Sequence, residues 1–187
     1  MRFTLFFVLL FTSITHANTN NWYRVEMLVF ETKDKHVLAQ EWSPVIGKPS
    51  LSDAVPIQAD PQAAFGRIPE KNLTLNEIKQ KLKKNYTLVS HQGWRQIITD
   101  KTHAQKVRVT GGQTGHNVEG MIKLSGENDL HLDTDLLFQK TMKKQKNQSQ
   151  IQTLRLQDST RIRANEIQYL DHPVYGVIVM VIPESKA

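Results

Sequence analysis

Hydrophobic residues along the chain form three kinds of pattern, which are continuous runs, alternation and helical spacing. The segment WYRVEMLVFE, 22–31, is rich in β-branched and aromatic residues without clean alternation. The segment YGVIVMVI, 175–182, is a nearly continuous apolar run between Pro173 and Pro183. Runs of this kind are typical of strands that are covered on both faces. We therefore expect two central strands, one near each end of the chain.

Alternation of apolar and polar residues predicts a hairpin in the second half of the chain. Apolar or small residues recur at every second position over 118–124 and over most of 130–138, and Ser125–Asp129 has the composition of a turn. His131, Asp133 and Asp135 fall on the opposite face of the second strand. The hairpin is therefore expected to have one apolar face and one polar face.

Two further segments have the pattern of strands. Over 154–163 the alternation places Arg155, Arg161 and Arg163 along one face of an extended strand. The segment YTLVSHQGWRQI, 86–97, is rich in β-branched and aromatic residues, and Gly93 is expected to bend or bulge it.

One segment has the spacing of a helix. Thr74 stands three residues before Glu77, which is the spacing of a capping box, and Leu73 and Ile78 are placed as a hydrophobic staple. The apolar stripe of this helix consists of Leu75, Ile78 and Leu82. The lysines gather toward its C-terminal end, where the helix dipole favours cations. We expect a helix that starts at Thr74 and stops near Asn85.

The remaining segments lack a sustained pattern. Residues 32–72 contain five prolines, which predicts a long irregular excursion with a short helical turn near His36–Gln40. The sequence TGGQTGHN, 110–117, favours a flexible loop, and the polar tract 139–150 favours an exposed loop. Residues 164–173 favour a short helical turn or loop that ends at Pro173.

These elements predict an α+β fold, with a mostly antiparallel sheet of about six strands and one main helix packed on one face. The excursion and the helix separate the strands 22–31 and 86–97. A βαβ-like crossover is therefore expected to bring these two strands side by side in a parallel or mixed arrangement.

The N-terminus has the pattern of an export signal. The segment MRFTLFFVLLFTSITHA, 1–17, carries a basic residue, a short apolar run and a small residue before the expected cleavage point. Its apolar run is shorter than the roughly 20 residues that span a bilayer. We expect its removal to leave a single periplasmic domain over 18–187, with no membrane span.

Composition indicates which forces stabilise the fold and what kind of partner the protein binds. The chain has no cysteine, so an exported domain must be held by its core rather than by disulfides. The formal net charge of +6 suits an acidic extracytoplasmic partner, although a solvated basic surface is the commoner reason for such a charge. We expect no nucleic acid partner.

The motifs of common enzymes and metal sites are absent from the sequence. His131 with Asp133, and Asp171 with His172, are pairs of metal-ligand types without a specific spacing. The chain has no Gly-x-Ser-x-Gly elbow, no thiol and no phosphate-binding loop. Asp133 and Asp135 lie on a polar hairpin face, where neither carboxylate is desolvated as a glycosidase acid must be. We therefore expect no catalysis, no metal and no cofactor.

The arginine row is the most suggestive chemical feature. Guanidinium groups bind carboxylates in a bidentate manner, and a strand presents them at a regular spacing. A ligand with carboxylates would meet Arg155, Arg161 and Arg163 on one face. The alternative is that these arginines pair with acidic residues of the neighbouring strand, with Asp133 and Asp135 as the first candidates.

Four segments together carry a family resemblance: WYRVEMLVF, YTLVSHQGWRQ, LHLDTDLLF and RIRANEIQYLDHPVYGVIVMVIP. In their order and spacing they resemble the CsiV family of bacterial peptidoglycan-binding proteins, over roughly 22–31 and 86–183. The sequence departs from the family pattern at Thr160, where an arginine is common, and at Gln168, where a histidine is common. The proline-rich excursion has no counterpart in this resemblance.

The resemblance implies a non-enzymatic periplasmic protein of Gram-negative bacteria that binds peptidoglycan and supports wall synthesis and cell shape. From chemistry rather than from the family, the candidate ligand-binding residues are Arg155, Arg161, Arg163, Trp94 and Tyr169. The alternatives are an interaction partner of a penicillin-binding protein or of its activator, and an exported cell-wall hydrolase.

Overall fold

The architecture is known from a computed structural model, which describes residues 22–40, 45, 47–126, 129–143 and 149–184. The expected signal peptide lies outside these residues. Within them, nine strands form two sheets, accompanied by two short α-helices. The strands are β1 (Trp22–Thr32), β2 (Val55–Pro56), β3 (Tyr86–Ile97), β4 (Lys106–Gln113), β5 (His116–Ser125), β6 (Leu130–Lys143), β7 (Ser149–Ile162), β8 (Ile167–Asp171) and β9 (Tyr175–Pro183). The helices are α1 (Lys35–Leu38) and α2 (Asn76–Leu82), and Glu70–Asn72 form a 3-10 turn.

The first sheet has the order β3-β1-β9-β8 and is antiparallel throughout. The two strands that were expected to be central, β1 and β9, are indeed its inner pair. The second sheet has the order β2-β4-β5-β6-β7, and only the short β2 is parallel to its neighbour. It contains the predicted hairpin as β5 and β6.

The main core lies between the inner faces of the two sheets. Alternate residues of β1, such as Val25 and Met27, are fully buried there against the apolar faces of β4 to β7. Phe138 of β6 stacks on Tyr175 of β9, with ring centroids 4.4 Å apart, and so ties the two sheets together. The apolar face of the predicted hairpin is confirmed, because Val118, Ile122, Leu132 and Leu136 are all fully buried. The expectation that neither Asp133 nor Asp135 is desolvated on the second face is wrong for Asp135, which is only 6 % exposed because it pairs with Arg155.

A second, smaller core lies on the outer face of the first sheet. Helix α2 packs its Leu75 side against Leu28 and Phe30 of β1, and Ile78 and Leu82 flank this contact as the predicted stripe. The helix therefore covers one face of a sheet, as expected, and the same cluster includes Ile178 and Met180 of β9.

The predicted capping box is wrong, because Thr74 is not the helix cap. The N-cap of α2 is Leu75, and no side chain of the helix start accepts a capping hydrogen bond. The fully buried Glu26 of β1 accepts the hydrogen bonds at the start of α2 instead of a side-chain cap. Its two carboxylate oxygens accept hydrogen bonds from the backbone N–H groups of Thr74 (2.9 Å) and Leu75 (3.0 Å), and Arg24 donates to the same carboxylate.

The number of sheets and the direction of β3 both differ from what the sequence predicted. The strands number nine rather than six among the described residues, and they form two sheets rather than one. In addition, β3 lies beside β1 as an antiparallel neighbour, with Trp22 opposite Ile97, and not in the expected parallel or mixed arrangement. The physical reason is that 32–85 returns the chain to the end of the sheet that it left, as a long hairpin connection does. The bulge in this pair lies between Val29 and Phe30 of β1 rather than at Gly93.

Three segments that were expected to be irregular are strands. Of residues 110–117, only Thr114 and Gly115 form a turn, and the others belong to β4 and β5, which pair from Lys106 opposite Lys123 to Gln113 opposite His116. The tract 139–150 extends the β6–β7 ladder as far as Lys143 opposite Ser149, and its residues 144–148 lie outside the described part of the chain. The expected turn at 164–173 contains β8. Of the excursion 32–72, α1 confirms a helical turn that begins one residue before His36.

The two sheets leave a seam on each side of the sandwich. On one side, the edge strand β7 of the second sheet faces the edge strand β8 of the first sheet. On the other side, the edge strand β3 faces β4. Neither pair is joined by a β-ladder among the described residues, so both seams are places where side chains of two sheets border the solvent.

Candidate functional site

The seam between β7 and β8 contains two cavities that share Gln168 as a lining residue, and we call the two together the β7–β8 groove. Its wider part has a volume of about 480 Å³ and is bordered by residues 155–160 of β7 and by Gln168–His172. A second part of about 350 Å³ continues along the seam past Arg161, Arg163 and Ile167. Gln168 borders both parts.

The connection between β7 and β8 creates this groove. After Ile162 the chain leaves the second sheet, and Asn165 takes a left-handed conformation with φ of 63°. The backbone N–H of Asn165 then donates to the carbonyl oxygen of Val181 at 2.8 Å, which anchors the turn on the first sheet. Asparagine tolerates this conformation better than most residues do. The two strands are thus close in sequence but belong to different sheets.

The arginine row of the sequence lies along this groove, with different partners for each member. Arg155 forms a bidentate pair with Asp135 of β6, with Nε–Oδ1 and Nη2–Oδ2 distances of 2.7 Å, and this hydrogen bonding raises the pKa of Arg155. The alternative that this arginine pairs with an acid of the neighbouring strand is therefore confirmed. The side chain of Arg155 is only 18 % exposed.

The other two arginines are much more accessible. The Arg161 side chain is 66 % exposed and lies 3.5 Å from a carboxylate oxygen of Asp129, which is itself exposed. The Arg163 side chain is 82 % exposed, follows the end of β7, and lies 3.8 Å from Glu166. Exposed pairs at these distances contribute little energy, so both guanidinium groups can exchange these partners for a ligand.

Tyr169 provides an aromatic surface beside the groove. It is 50 % exposed, and its ring stacks on the buried Phe30 with an interplanar angle of 7° and a centroid distance of 6.3 Å. Burial of the inner part of the ring, and a hydrogen bond that its hydroxyl donates to Asp171, raise the pKa of Tyr169 to about 12. Gly176 permits this stack, because an added Cβ would lie 2.9 Å from Tyr169 Cε2 and closer still to Phe30.

His172 closes the wide end of the groove. Burial lowers the pKa of His172, and its Nδ1 accepts a hydrogen bond from the backbone N–H of Val174 at 3.2 Å. A ring nitrogen that accepts a hydrogen bond carries no proton, so this contact also favours the neutral imidazole. The Asp171-His172-Pro173 sequence is therefore a structural corner that presents a neutral ring to the groove.

Trp94 does not belong to this site. Its side chain is fully buried in the main core, and its Nε1 donates to Oε1 of Gln96 at 2.7 Å. A buried indole has no face to offer a ligand, so we correct its assignment from a candidate contact to a core residue. Four of the five residues predicted from the sequence, all except Trp94, border the β7–β8 groove.

The polar residues that complete the groove were not among the ligand-binding residues predicted from the sequence. Gln157 and Asp158 of β7 face the solvent, and Gln168 of β8 lies across from them. Thr160, on the same strand, also borders the groove. Both departures from the family pattern, Thr160 and Gln168, thus line one cavity. The alternation of β7 was visible in the sequence, but β8 was not predicted as a strand. Gln168 was therefore not recognised as part of the opposing wall.

The pairs considered as metal ligands do not form a metal site. Asp133 accepts a hydrogen bond from the Ser159 hydroxyl at 2.5 Å, and Asp171 accepts one from the Tyr169 hydroxyl at 2.7 Å. Among the residues that the structure describes, no group of three or more histidines and acids is close enough to hold a metal ion.

Together the groove combines three kinds of recognition chemistry. Arg161 and Arg163 supply accessible positive charge, which binds carboxylates or other anions. The exposed face of Tyr169 supplies an apolar ring, and amide and hydroxyl groups supply hydrogen bonds in both directions. This combination suits a ligand that carries carboxylates, amides and hydroxyl groups on an extended frame.

Comparison with known proteins gives one match. A family model described as "Peptidoglycan-binding protein, CsiV" matches residues 2–184, which is nearly the whole chain. Neither the curated proteins nor the solved structures gave a significant match. Within the described ranges, no helix is both long enough and apolar enough to cross a membrane.

Proposed function

Because the chain belongs to the CsiV family of peptidoglycan-binding proteins, we propose that it binds peptidoglycan through the β7–β8 groove. Peptidoglycan consists of amino-sugar strands with short peptide stems, and so it offers carboxylates, amides, hydroxyl groups and the apolar faces of sugar rings. The observation that carries the proposal is that Arg161 and Arg163 line one cavity of the β7–β8 seam and Tyr169 lines the other, with Gln168 bordering both, in a chain of this family.

Arg161 and Arg163 receive the carboxylates of the peptide stem in this proposal. Both are exposed and their present partners are weakly held, so a ligand carboxylate replaces a solvent-screened pair rather than breaking a buried one. Arg155 has a different role. Its pair with Asp135 holds the guanidinium group in place at the border of the groove, and an added Cβ at Gly47 of the proline-rich excursion would lie 3.3 Å from its Nη1.

Tyr169 provides the platform for a sugar ring. Its ring orientation is fixed by the stack on Phe30 and by the hydrogen bond to Asp171, so little rotamer freedom is lost when a ligand binds. Gln157 and Gln168 are positioned to exchange hydrogen bonds with N-acetyl and peptide groups across the groove.

We further propose that the protein acts in the periplasm without catalysing a reaction, and that it supports wall synthesis and cell shape. The support is the signal-peptide pattern of 1–17 and the binding chemistry of the groove. The intact mass of protein from the periplasmic fraction is expected to correspond to a chain that begins at or near Asn18. A full-length mass in the membrane pellet contradicts this location.

Sedimentation with purified sacculi tests the proposed binding. Wild-type protein is expected to pellet with sacculi in a salt-sensitive manner, and the double variant Arg161→Gln/Arg163→Gln to remain mostly in the supernatant. The matched control is Lys81→Gln/Lys84→Gln, which removes the same charge from exposed positions of helix α2 and its end. If both double variants lose binding equally, net charge rather than the groove holds the wall, and the proposal fails.

A protein partner is the second candidate function, and one observation favours it. Ile167 is 51 % exposed and lies on the edge strand β8 beside Tyr169, where an apolar contact with a wall synthase or its activator can form. Pulldown from envelope extract with wild-type protein and Ile167→Asp compares the two functions. Loss of a protein partner with unchanged sacculus binding would assign this edge to the partner.

A further inference from the structure

The outer face of the first sheet extends beyond helix α2 onto the edge strand β8. Leu28 of β1 lies opposite Ile178 of β9, and Ile178 lies opposite Tyr169 of β8, so the three side chains share this face. Met180 and Ile167 form the next pair on the same face. Ile178 is buried, with 8 % exposure, whereas Ile167 and Tyr169 are 51 % and 50 % exposed. The core under the helix therefore ends at β9, and the apolar side chains of β8 are open to solvent.

These open positions form a strip of apolar side chains, which we call the β8–β9 strip. It consists of Ile167, Tyr169, Met180 and Ile182, of which the last two are half-buried. Ile182 is two positions beyond Met180 on β9 and so points to the same side. The stack of Tyr169 on Phe30 holds the tyrosine ring at this surface. Single exposed apolar side chains are ordinary, but several that adjoin on one face indicate a contact surface.

Helix α2 places positive charge beside this strip. Residues 70–84, which contain the helix, have five lysines and two glutamates. One of these glutamates, Glu70, is already paired with Lys79. Lys81 and Lys84 are exposed, and neither forms an ion pair with a residue that the structure describes. This part of the face is therefore a region of uncompensated positive charge.

The helical geometry directs Lys81 toward the strip. Lys79 and Lys83 border a cavity on the β3 side of the helix, together with residues 88–92 of that strand. Lys81 lies about 200° around the helix from Lys79. It is therefore on the opposite flank, which faces β9 and β8, so cationic and apolar groups adjoin on one surface.

We propose that the β8–β9 strip and the lysines of α2 form one surface that associates with a membrane containing anionic lipids. Lysine carries its charge on a long flexible stem, so it binds a fluid layer of phosphate groups without a fixed geometry. Ile167 and Tyr169 enter the interface, where the tyrosine ring is in an apolar medium and its hydroxyl remains at the polar boundary. A second copy of the chain fits this face less well, because it would bring its own lysines against these.

The membrane surface and the proposed wall-binding site differ in their charged residues. Lys81 and Lys84 belong to α2 and its end, on the first sheet, whereas Arg161 and Arg163 lie at the end of β7 in the second sheet. If the proposed function also holds, the protein is attached to a membrane and to the wall at once. Only this consequence rests on the proposed function.

Sedimentation with lipid vesicles tests the membrane surface. Purified protein is mixed with vesicles of phosphatidylethanolamine and phosphatidylglycerol, and vesicles of phosphatidylcholine alone are the neutral reference. We expect the protein to pellet with the anionic vesicles in a salt-sensitive manner and to remain in the supernatant with the neutral ones. Equal pelleting with both kinds of vesicle, or with neither, overturns the proposal.

Variants locate the contact. Lys81→Gln/Lys84→Gln is expected to lower the partition coefficient for anionic vesicles about tenfold or more, because each lysine close to an anionic surface contributes to binding. The matched control is Lys48→Gln/Lys101→Gln, which removes the same charge from exposed positions beside the second sheet and is expected to bind within about twofold of wild type. Equal losses in the two double variants overturn the proposal, because net charge alone then explains the binding.

The apolar part of the surface has its own variant. Ile167→Gln keeps the net charge and is expected to lower the same partition coefficient about threefold or more, because less apolar area leaves water. Unchanged binding of Ile167→Gln overturns the proposed insertion of the strip. If wild-type protein ignores vesicles but forms a dimer that Ile167→Gln abolishes, the strip binds a second copy and the membrane proposal is overturned.

Sacculus binding separates this proposal from the proposed function. Lys81→Gln/Lys84→Gln is expected to lose vesicle binding and to keep sacculus binding. Wild-type protein that pellets with sacculi but not with anionic vesicles overturns the membrane surface alone. Wild-type protein that pellets with anionic vesicles but not with sacculi overturns the wall-binding function alone.

Discussion

Substitution of Arg155 by glutamine is expected to damage the fold, whereas substitution of its two neighbours in the row is not. Arg155 holds Asp135 by two hydrogen bonds of 2.7 Å, and the side chains of the pair are only 18 % and 9 % exposed. Glutamine cannot supply the bidentate contact, so the carboxylate of Asp135 loses its counter-ion in a place that water hardly reaches.

The magnitude follows from what remains at Asp135. A buried charge that is left without any partner costs about 3–5 kcal/mol, and the loss of one hydrogen-bond partner by a buried polar group costs about 1–3 kcal/mol. Gln157 Nε2 still lies 3.3 Å from Asp135 Oδ2, so the smaller range applies. For a chain of this size, each kcal/mol lowers the Tm by about 2–4 °C. Arg155→Gln is therefore expected to lower the Tm by about 2–12 °C.

Urea denaturation and calorimetry measure the effect, with Arg161→Gln/Arg163→Gln as the internal control. The control is expected to stay within about 0.5 kcal/mol per site, because both guanidinium groups are largely exposed. A double-mutant cycle with Asp135→Asn isolates the pair, and the double variant is expected to be less destabilised than the sum of the single variants. Equal stability of Arg155→Gln and wild type, with an unchanged m-value, would refute the assignment of Arg155 to the structure.

Three further predictions follow from particular contacts. In urea denaturation, Glu26→Gln is expected to destabilise the protein by about 1.5–3 kcal/mol, because the Glu26 carboxylate binds the start of α2. Thr74→Ala is expected to cost less than about 0.5 kcal/mol, because the threonine side chain does not cap the helix. A larger loss for Thr74→Ala than for Glu26→Gln contradicts this prediction. Gly176→Ala is expected to cost about 1–3 kcal/mol and to reduce sacculus binding by displacing the Tyr169 ring, and unchanged binding would separate the ring from the site. The unfolding free energy is expected to fall as the pH drops below about 6.5. Burial lowers the pKa values of His91 and His172 in the folded state, so the unfolded chain takes up protons first. A urea midpoint that stays constant between about pH 7 and 5.5 contradicts this prediction.

Strands with a strong burial pattern were predictable from the sequence. In β1 and β9 nearly every side chain meets either the second sheet or helix α2, so the apolar run is a direct consequence of burial on both faces. The hairpin of β5 and β6 was predictable because one of its faces meets the core and carries apolar residues such as Leu132, whereas the other face carries polar residues such as the half-buried Asp133. Such patterns report how deeply a side chain lies, and they do not report which sheet it faces.

Strands without this pattern were missed for different physical reasons. In β8, Ile167 and Tyr169 point out toward solvent on an edge strand, so its apolar residues do not mark a core face. In β4, Gly111 and Gly112 resemble a loop, yet Gly111 lies where β3 approaches too closely for a side chain. The outer part of the β6–β7 ladder is held by backbone pairing, such as Thr141 opposite Ile151, and needs no apolar residues.

The candidate site was predictable only where it follows the parity of one strand. The alternation of β7 placed Arg155 and Arg161 on one face of the strand. The alternation of β6 made Asp135 a candidate partner for these arginines, and Arg155 pairs with it. Trp94 was misassigned because the sequence alone does not show whether an aromatic residue beside an arginine is buried or exposed. The groove itself depends on the meeting of two edge strands, and that information is in the topology rather than in any local pattern.

The most direct test of the central claim is NMR shift mapping with a soluble disaccharide–peptide fragment of peptidoglycan. We expect a saturable titration in which the largest amide and side-chain shifts lie on β7, on β8 and at the corner before Pro173, over residues 155–172, and include the ring of Tyr169. Shifts that cluster in the proline-rich excursion or on another face, with the signals of Arg161, Arg163 and Tyr169 unchanged, would contradict it.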